Sequence, residues 1–295
     1  MSKEQTLLFC VGATKAGTSW LHRYLSDHPE CHLRSVKELH YFDALDAGKL
    51  DQQVRQTQRS IDALVSKLDD ANEVRTANIL RQINDRNQWL GVLEHGSQND
   101  AAYLAYLRDG QVGEHVIAEL TPAYSLLDHS RLAAMAALTP LTKFIYLLRD
   151  PIDRLWSHVR MMSSRRSDDG QVLRDRTDRI FARTLAGKEA AIEDRSDYRA
   201  ALRKLTAAIA PENLLIEFYE NMFTGDAIAR ICRFLNIEYI PANTNQRIHA
   251  GQPLAILDEQ RLKAREWLAE QYDYVRDTLG ATPAGWQYNL AKVQA

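Results

Sequence analysis

A glycine-rich turn near the N-terminus combines residues that can bind phosphate. The stretch GATKAGTS, residues 12–19, follows the apolar run LLFCV and precedes WLHRYLSDH, which has the pattern of a helix. Backbone N–H groups in such a strand-to-helix turn, together with the helix N-terminus, form a binding site for an anion. The hydroxyls of Thr18 and Ser19 add two donors. An ordinary glycine turn with an exposed lysine is the alternative interpretation.

The lysine of this turn does not stand where ATP-binding loops place it. In the pattern GxxxxGK[ST] the lysine follows the last glycine and reaches the β- and γ-phosphates, and the next hydroxyl holds magnesium. Here Gly12 and Gly17 keep the spacing, but Thr18 replaces the lysine, and Lys15 lies two residues before Gly17. The sequence therefore predicts a phosphate site with Lys15 beside the anion, and it argues against a magnesium-dependent kinase or NTPase.

A second stretch, KFIYLLRDPIDRLWSH, residues 143–158, has the residues for another phosphate site. Arg149 is expected at the carboxyl end of a buried strand, where open α/β sheets bind ligands. Asp150 is predicted to cap the next helix, which has proline in its first position. Ser157 lies two turns into that helix, and a guanidinium with a hydroxyl suits a terminal phosphate monoester. An ion pair of Arg149 with Asp150 or Asp153 is the alternative.

Four apolar runs predict the strands that must position these residues. They are TLLFCV (6–11), HVIAEL (115–120), KFIYLLR (143–149) and NLLIEFY (213–219). Continuous apolar character in the first and third runs is typical of strands buried on both faces, and hence of a parallel sheet covered by helices. The sequence therefore predicts one α/β domain, residues 1–295, with a doubly wound central parallel sheet flanked by helices.

Two segments differ from this core in composition. Between about residues 44 and 110, Gln, Arg, Asp and Asn are frequent and apolar residues recur at helical spacing, which predicts a helical insertion packed on the core. Residues 163–195 are dense in charges of both signs and poor in apolar residues. That composition is typical of a mobile flap or an exposed helix–loop segment. A flap that closes over a substrate and a solvated surface are the two alternatives.

The overall composition excludes several classes of protein. The chain has 295 residues, 45% of them hydrophobic, and a net charge of -2, which lacks the basic excess of nucleic-acid-binding proteins. Cys10, Cys31 and Cys232 are far apart without metal-binding spacing, so neither a disulfide framework nor a zinc site is predicted. The sequence has no evident signal peptide and no apolar stretch of membrane length, and we expect a cytoplasmic protein.

Together, the two phosphate motifs resemble those of sulfotransferases that use 3′-phosphoadenosine-5′-phosphosulfate (PAPS), most closely the heparan-sulfate-type and bacterial branches. KAGTSWL is similar to that family's 5′-phosphosulfate loop, and LLRDPIDRLWSH is similar to its 3′-phosphate motif. The resemblance runs from residue 7 to about 160 and is weaker in LLIEFYENM and LGATPAGW. It implies a P-loop NTPase-like fold, PAPS as donor, adenosine 3′,5′-bisphosphate (PAP) as product, and no metal.

The resemblance also implies the residues that contact the cofactor. They are Lys15, Ala16, Gly17, Thr18, Ser19, Trp20, Arg149 and Ser157, and more weakly Arg247. Arg247 belongs to QRIHAGQP, which falls where relatives have a loop that closes over the cofactor. A surface position is the alternative for Arg247.

The resemblance places a general base in SVKELHYFD, residues 35–43. Relatives use a glutamate followed by x-His or x-Phe-Phe, and Glu38, expected near the end of a second strand, falls on that position. Glu38 would accept a proton from the hydroxyl or amine that attacks sulfur, while the 5′-phosphate leaves. Lys15 would neutralise charge on the bridging oxygen, a role that can supply several kcal/mol. A structural ion pair of Glu38 with Lys37 is the alternative.

Two residues leave the catalytic assignment open. His40 is a rival base, because imidazole titrates near neutral pH, although we expect it to contact the substrate or support the base. Relatives carry a lysine in E-K-[TS]-P-x-Y, whereas this chain reads AELTPAYS with Leu120 in that position. Lys37 or an arginine from residues 163–195 could substitute.

These observations leave three functions to compare. The first is transfer of a sulfuryl group to a small-molecule, carbohydrate or lipid acceptor, with neither nucleic acid nor a membrane as partner. The second is a P-loop kinase or NTPase. The third, favoured by Leu120, is a protein that binds PAP or PAPS without turnover.

Overall fold

Five parallel strands form one sheet in the order β2-β3-β1-β4-β5 in the computed structural model, which describes residues 4–223, 225–242 and 252–291. The strands are β1 (Thr6–Gly12), β2 (Cys31–Leu33), β3 (Val116–Leu120), β4 (Thr142–Leu148) and β5 (Leu214–Phe218). The four strands predicted from apolar runs are confirmed to within one residue at each end. The prediction of one α/β domain with a central parallel sheet is confirmed.

The central strand β1 is buried on both faces of the sheet. Every residue from Leu7 to Val11 has 0% exposure, as the continuous apolar run predicted. On one face, the ring of Phe9 contacts the rings of Phe42 and Phe144, with centroids 6.0 and 5.4 Å away. The sheet is therefore the middle of the core, with helices on either side.

Helices make up most of the remaining chain. They are α1 (Thr18–Ser26), α2 (Tyr41–Asp46), α3 (Leu50–Val65), α4 (Glu73–Leu93), α5 (Asp100–Arg108), α6 (His129–Ala136), α7 (Pro151–Arg165), α8 (Arg174–Leu185), α9 (Ala190–Glu193), α10 (Tyr198–Ala208), α11 (Gly225–Leu235), α12 (Asp258–Leu279) and α13 (Ala284–Ala291). Within the described ranges, every helix is either too short or too polar to cross a lipid bilayer.

The order of the strands creates a ligand-binding crevice. After β1 the chain moves to β2 and β3 on one side, and after β4 it moves to β5 on the other. The carboxyl ends of the neighbouring strands β1 and β4 therefore flank a topological switch point, where open α/β sheets bind ligands. The two predicted phosphate motifs follow these two strands directly.

Helices α2 to α5 lie between β2 and β3 and account for the region at about residues 44–110. Helices α3 and α4 pack together, and α4 buries Trp89 and Leu93. Helix α5 buries Tyr103, whose ring stacks on Tyr41 with centroids 4.8 Å apart. These aromatic contacts attach the helices to the start of α2.

Residues 163–195 contain the end of α7, all of α8 and α9, and the start of a 3₁₀ turn, Asp194–Ser196. Helix α8 buries Ile180 and Phe181 despite its high charge. The Phe181 ring lies edge-on to Trp156 of α7, with centroids 5.9 Å apart. The apolar residues that are present therefore pack one side of α8 on the core, and closure of this segment over a substrate stays a prediction.

Candidate active site

The loop after β1 contains two glycines that no larger residue could replace without displacing a neighbour. Gly17 has a left-handed φ of 90°, and a Cβ there would lie 2.5 Å from Cδ2 of Tyr219. A Cβ on Gly12 would lie 2.7 Å from Cε2 of Tyr146. Glycine tolerates both a left-handed backbone and so close an approach. These contacts fix the turn from β1 into α1.

Helix α1 begins at Thr18 without a capping side chain, because its N-cap is Gly17. The first N–H groups of a helix have no partner inside the helix, and they favour an anion. Thr18 and Ser19 bring hydroxyls to the same turn, and Ala16 just before them is buried. The loop therefore carries the donors that a phosphate group needs.

Trp20 belongs to the same helix turn, but its side chain serves packing. It is 6% exposed, stacks on Tyr24 with ring centroids 6.0 Å apart, and meets the edge of Phe223 at 5.5 Å. Its backbone N–H donates to the carbonyl of Gly17 at 2.9 Å. Direct contact of Trp20 with a cofactor stays a prediction, and its observed role is to hold α1 in place.

Lys15 occupies the middle of the loop in a backbone conformation that is rare for a residue with a side chain. Its φ is 71°, and such conformations cluster at functional sites. Partial burial lowers the pKa of Lys15, and the positive charges of Arg149, Arg160 and Arg165 lower it further. Several cations therefore share this region, which favours the binding of an anion with more than one negative charge.

Arg149 connects the second motif to the first. Its Nη1 donates to the carbonyl oxygen of Lys15 at 3.2 Å, and its guanidinium lies over the ring of Tyr219, 4.8 Å from the centroid. Tyr198 donates its hydroxyl hydrogen to the Arg149 carbonyl at 2.8 Å. The side chain is thus held by Lys15 and Tyr219, and it forms no ion pair with a carboxylate in the described part of the chain. The guanidinium is positioned but not neutralised.

Asp150 is the N-cap of α7, as the sequence predicted. It accepts the N–H of Asp153 at 3.0 Å and a hydrogen bond from Asn289 at 2.7 Å, and its exposure is 2%. Burial raises its pKa to about 6. Its oxygens are thus engaged in holding the start of α7, which disfavours the ion pair with Arg149 and the role of a magnesium ligand in a kinase.

Ser157 lies on α7 and is 9% exposed. The helix that carries it begins at Pro151, two residues after Arg149, so both residues belong to the chain segment that follows β4. Arg247 lies outside the described residues. Contact of Ser157 or Arg247 with a phosphate therefore stays a prediction.

Glu38 lies between β2 and α2 in a cluster of charged groups. Lys37 Nζ is 2.5 Å from its Oε1, and His40 Nε2 is 3.7 Å from its Oε2. Burial disfavours ionisation, but His40 and Lys37 outweigh it and lower the pKa of Glu38 to about 2. The carboxylate is 41% exposed. The predicted ion pair with Lys37 is present, and it leaves the second oxygen facing His40.

His40 is held on its other side by a second carboxylate. Asp43 Oδ2 lies 2.7 Å from His40 Nδ1, and His40 caps α2 with a left-handed φ of 53°. Burial opposes protonation, but Asp43 and Glu38 raise the pKa of His40 to about 9. His40 is therefore an imidazolium at neutral pH, which is the wrong charge state for a general base.

A buried carboxylate organises the motif AELTPAYS. Glu119 is 2% exposed, and burial raises its pKa. It accepts hydrogen bonds from Thr121 and Tyr124, both at 2.7 Å, and from the hydroxyl of Tyr103. Three hydroxyl donors thus take the place of a cation beside this carboxylate.

The same motif fixes the loop that carries the candidate base. The hydroxyl of Thr121 accepts the N–H of Leu39 at 3.1 Å, and that of Tyr124 accepts the N–H of Tyr41 at 3.0 Å. Leu39 and Tyr41 flank His40, so these bonds hold its left-handed conformation. The hydroxyls of the motif therefore position the loop.

Leu120 lies inside the core and brings no charge to the site. It has 0% exposure and pairs with Cys10 of β1. Around Glu38, the nearest positive charges are Lys37 and the imidazolium of His40. Both cations belong to the segment between β2 and α2, and the role of Lys37 as a substitute for the family lysine stays a prediction.

Three positioning residues were not found from the sequence. Tyr219 is the last residue of the predicted strand 213–219. Its position at the carboxyl edge of the sheet could have indicated that it lies near the site. Asp43 lies three residues after His40, a spacing that brings side chains together at a helix start. The sequence does not indicate the role of Glu119, because its hydrogen-bond partners come from several elements.

Replacement of Asp43 by asparagine is expected to lower the pKa of His40 from about 9 towards its ordinary 6.5, because the adjacent negative charge is lost. In the wild type, the stabilisation from protonated His40 is fully present below pH 6.5 and lost as the pH rises through about 9. NMR titration of the imidazole measures both values, with His40→Gln to assign the signal. An unchanged pKa in Asp43→Asn would contradict the ion pair.

In the described ranges, no group of three or more His, Cys, Asp or Glu side chains is arranged to hold a metal ion. The donors at the switch point are instead backbone N–H groups, hydroxyls and cations, which is the donor set for phosphate and sulfate oxygens. The loop after β1 and the Arg149 region therefore carry donors that suit such oxygens.

Known proteins are similar to this chain in sequence family and in fold. The model of the Sulfotransferase family matches residues 8–241. In structure, the chain is similar to a sulfotransferase from Alicyclobacillus acidocaldarius, with 20% identity, a TM-score of 0.60, and coverage of 97% of this chain and 100% of that one. It is also similar to the sulfotransferase domain of the Synechococcus PCC 7002 olefin synthase, with 18% identity, a TM-score of 0.53, and coverage of 96% and 97%.

No curated protein matches the sequence significantly. The structural neighbours share the P-loop-like fold, and the family match spans both phosphate motifs, the Glu38 loop, strands β2 to β5 and most of β1. This chain belongs to the Sulfotransferase family.

Proposed function

We propose that the protein transfers the sulfuryl group of PAPS to a hydroxyl or amine of a small-molecule, carbohydrate or lipid acceptor and releases PAP. Family membership supports sulfotransfer in general. The observation that carries the choice of PAPS is the hydrogen bond from Arg149 to the carbonyl of Lys15, 3.2 Å long, which joins two phosphate motifs at the switch point. One phosphate site would suffice for a simpler donor.

The binding roles follow from the donors. The N–H groups at the start of α1, with the hydroxyls of Thr18 and Ser19, would hold the 5′-phosphosulfate. Arg149 and Ser157 would hold the 3′-phosphate, and the resemblance adds Arg247. A guanidinium already fixed by Tyr219 loses little entropy when it binds phosphate.

In the chemical step, the acceptor oxygen or nitrogen forms a bond to sulfur as the bond from sulfur to the bridging oxygen breaks. The bonding electrons leave with the 5′-phosphate, whose charge Lys15 would neutralise. Glu38 would take the acceptor proton. A pKa of about 2 keeps Glu38 ionised at neutral pH, and a weak base can suffice because the acceptor proton becomes more acidic as the bond to sulfur forms.

His40 supports this assignment through its charge. As an imidazolium with a pKa of about 9, it can stabilise the carboxylate of Glu38 and negative charge near the sulfuryl group. Base catalysis by His40 would require loss of its proton first. We therefore assign His40 a supporting role and Glu38 the base.

Transfer is tested with sulfur-labelled PAPS and a fractionated metabolite extract. We expect label to move to an acceptor fraction with the wild type, and the transfer to be lost with Lys15→Ala. A wild type that binds PAP but transfers no label to any fraction would favour the non-catalytic alternative.

Replacement of Arg149 by glutamine is expected to weaken PAP binding by roughly tenfold to a hundredfold, since a charge-assisted hydrogen bond to phosphate is lost. Binding of AMP, which lacks the 3′-phosphate, should change little. Calorimetry measures both affinities. Arg199→Gln is the matched control, because Arg199 is 47% exposed and paired with Glu270. Equal losses for PAP and AMP would contradict the assignment of Arg149 to the 3′-phosphate.

A further inference from the structure

Four buried side-chain atoms on α7 lack a hydrogen-bond partner among the described residues, and two of them belong to Arg154 and His158. Arg154 is 1% exposed, and one of its nitrogens donates to the hydroxyl of Ser196, but its Nη1 has no partner among the described residues. One turn later, His158 is 3% exposed, and its Nδ1 also has no partner there. A buried guanidinium with an unsatisfied N–H is costly. This part of the fold is therefore suited to an acceptor atom from a ligand.

Arg195 extends this cationic group towards the surface. It precedes Ser196, which Arg154 contacts, and its Nη1 donates to the carbonyl of Ala191 at 2.9 Å. Burial and the positive charges of Arg154 and Arg195 lower the pKa of His158 to about 2. His158 therefore stays neutral and can donate or accept one hydrogen bond through Nδ1.

The cluster also lies near the candidate base. Burial lowers the pKa of Arg195, whereas the carboxylates of Asp43 and Glu38 act in the opposite direction. Lys15 is also close enough to affect His158. The charge of Arg195 is therefore coupled both to His158 on α7 and to the carboxylate of Glu38.

Neighbouring arginines show that this group is unusual. Arg166 and Arg183 each form an ion pair with Glu189, at 2.6 and 2.7 Å. In the described part of the chain, no carboxylate lies at ion-pair distance from Arg154 or Arg195, whose hydrogen bonds go to a hydroxyl and a carbonyl. Arg154 therefore has no ion-pair partner there, whereas the negative charges of Asp194, Asp43 and Glu38 act on Arg195 without forming an ion pair.

We propose that Arg154, His158 and Arg195 form a tetrahedral-oxyanion site on the acceptor side of the phosphate loop. The ligand of this site is a tetrahedral oxyanion. It is either the sulfuryl group of PAPS or a sulfate or phosphate ester on the acceptor. Because both belong to a sulfotransfer reaction, this inference rests on the proposed function. Two guanidinium groups and a neutral imidazole nitrogen are donors that suit the terminal oxygens of such a group. The site would supply positive charge that Leu120 does not.

Inorganic sulfate is the probe for this site, because saturating PAP first occupies both nucleotide phosphate positions. We expect sulfate to bind the wild-type complex with PAP, and Arg195→Gln to weaken that binding by roughly tenfold or more. Arg154→Met should do the same, and PAP affinity reports whether either variant is folded. Arg183→Gln, at a 56% exposed side chain paired with Glu189, is the control and should bind sulfate normally.

The affinity of PAPS relative to PAP distinguishes the two sources of the oxyanion. If Arg195→Gln lowers PAPS affinity but not PAP affinity, the site holds the sulfuryl group. If it weakens sulfate alone, the site holds an ester of the acceptor. Failure of sulfate to bind the wild-type complex, or unchanged binding in Arg195→Gln, would overturn the inference. Failure of PAP itself to bind would overturn the proposed function, and the inference with it.

Discussion

Replacement of Lys15 by methionine is expected to lower kcat by about a hundredfold to a thousandfold, the usual effect of removing one group that stabilises transition-state charge. Methionine keeps the length of the side chain and removes the charge beside the leaving oxygen. The hydrogen bond from the Arg149 guanidinium to the backbone carbonyl of Lys15, 3.2 Å long, does not depend on the Lys15 side chain. PAP binding should therefore weaken much less than turnover. Steady-state kinetics and calorimetry measure the two effects.

Two comparisons make this result specific to Lys15. Lys67→Met removes an exposed positive charge elsewhere and should leave kcat unchanged. Lys15→Arg keeps a cation and should restore part of the rate. A kcat within about twofold of wild type in Lys15→Met would show that the loop lysine does not act on the leaving group.

Glu38→Gln is expected to lower kcat by about a hundredfold or more, because general bases contribute effects of about 10²–10⁴. Glutamine keeps the size of the side chain but cannot accept the proton. PAP affinity should stay near the wild-type value, since Glu38 belongs to the loop before α2 and not to the phosphate loop. Loss of turnover with retained binding is the pattern that identifies a chemical role.

His40→Gln separates the two candidate bases. If Glu38 is the base, His40→Gln should reduce kcat less than Glu38→Gln does, because only a supporting charge is lost. If His40 is the base, activity should instead rise as the pH passes through about 9, where His40 loses its proton. A small effect of Glu38→Gln with abolished activity in His40→Gln would reverse the assignment. Glu259→Gln, at an exposed side chain on α12, is the control.

The central sheet was predictable from the sequence because its strands are buried on both faces. Residues 7–11 and 144–148 are apolar without interruption and have at most 1% exposure. The apolar pattern of the sequence therefore matches the burial of these strands. β2 is shorter, from Cys31 to Leu33, and only its first residue is buried. A strand of that length produces too weak a pattern to define its limits in advance.

The phosphate motifs were predictable for a related reason. Lys15 and Arg149 lie within three residues of the end of a buried strand, and the carboxyl ends of neighbouring parallel strands lie at one edge of the sheet. The contacts of Glu38 were not predictable in the same way. They depend on the left-handed φ of 53° at His40 and on hydroxyls of Thr121 and Tyr124, more than 80 residues away in sequence.

The charged segment 163–195 shows that average composition does not predict which residues of a segment are buried. Its average polarity indicated an exposed surface or a flap, yet Ile180, Phe181 and Ile192 are buried. A few apolar residues at helical spacing can pack one side of a helix whatever the average composition. The same segment contains Arg195, which connects it to the site through charge.

Binding of PAP without magnesium tests the central claim most directly, because it requires both phosphate motifs and no knowledge of the acceptor. Calorimetry on the wild type, in the presence of a chelator, is predicted to show PAP binding that is stronger than AMP binding, with that preference lost in Arg149→Gln. ATP binding that depends on magnesium, together with no affinity for PAP, would contradict the assignment and favour a kinase or NTPase.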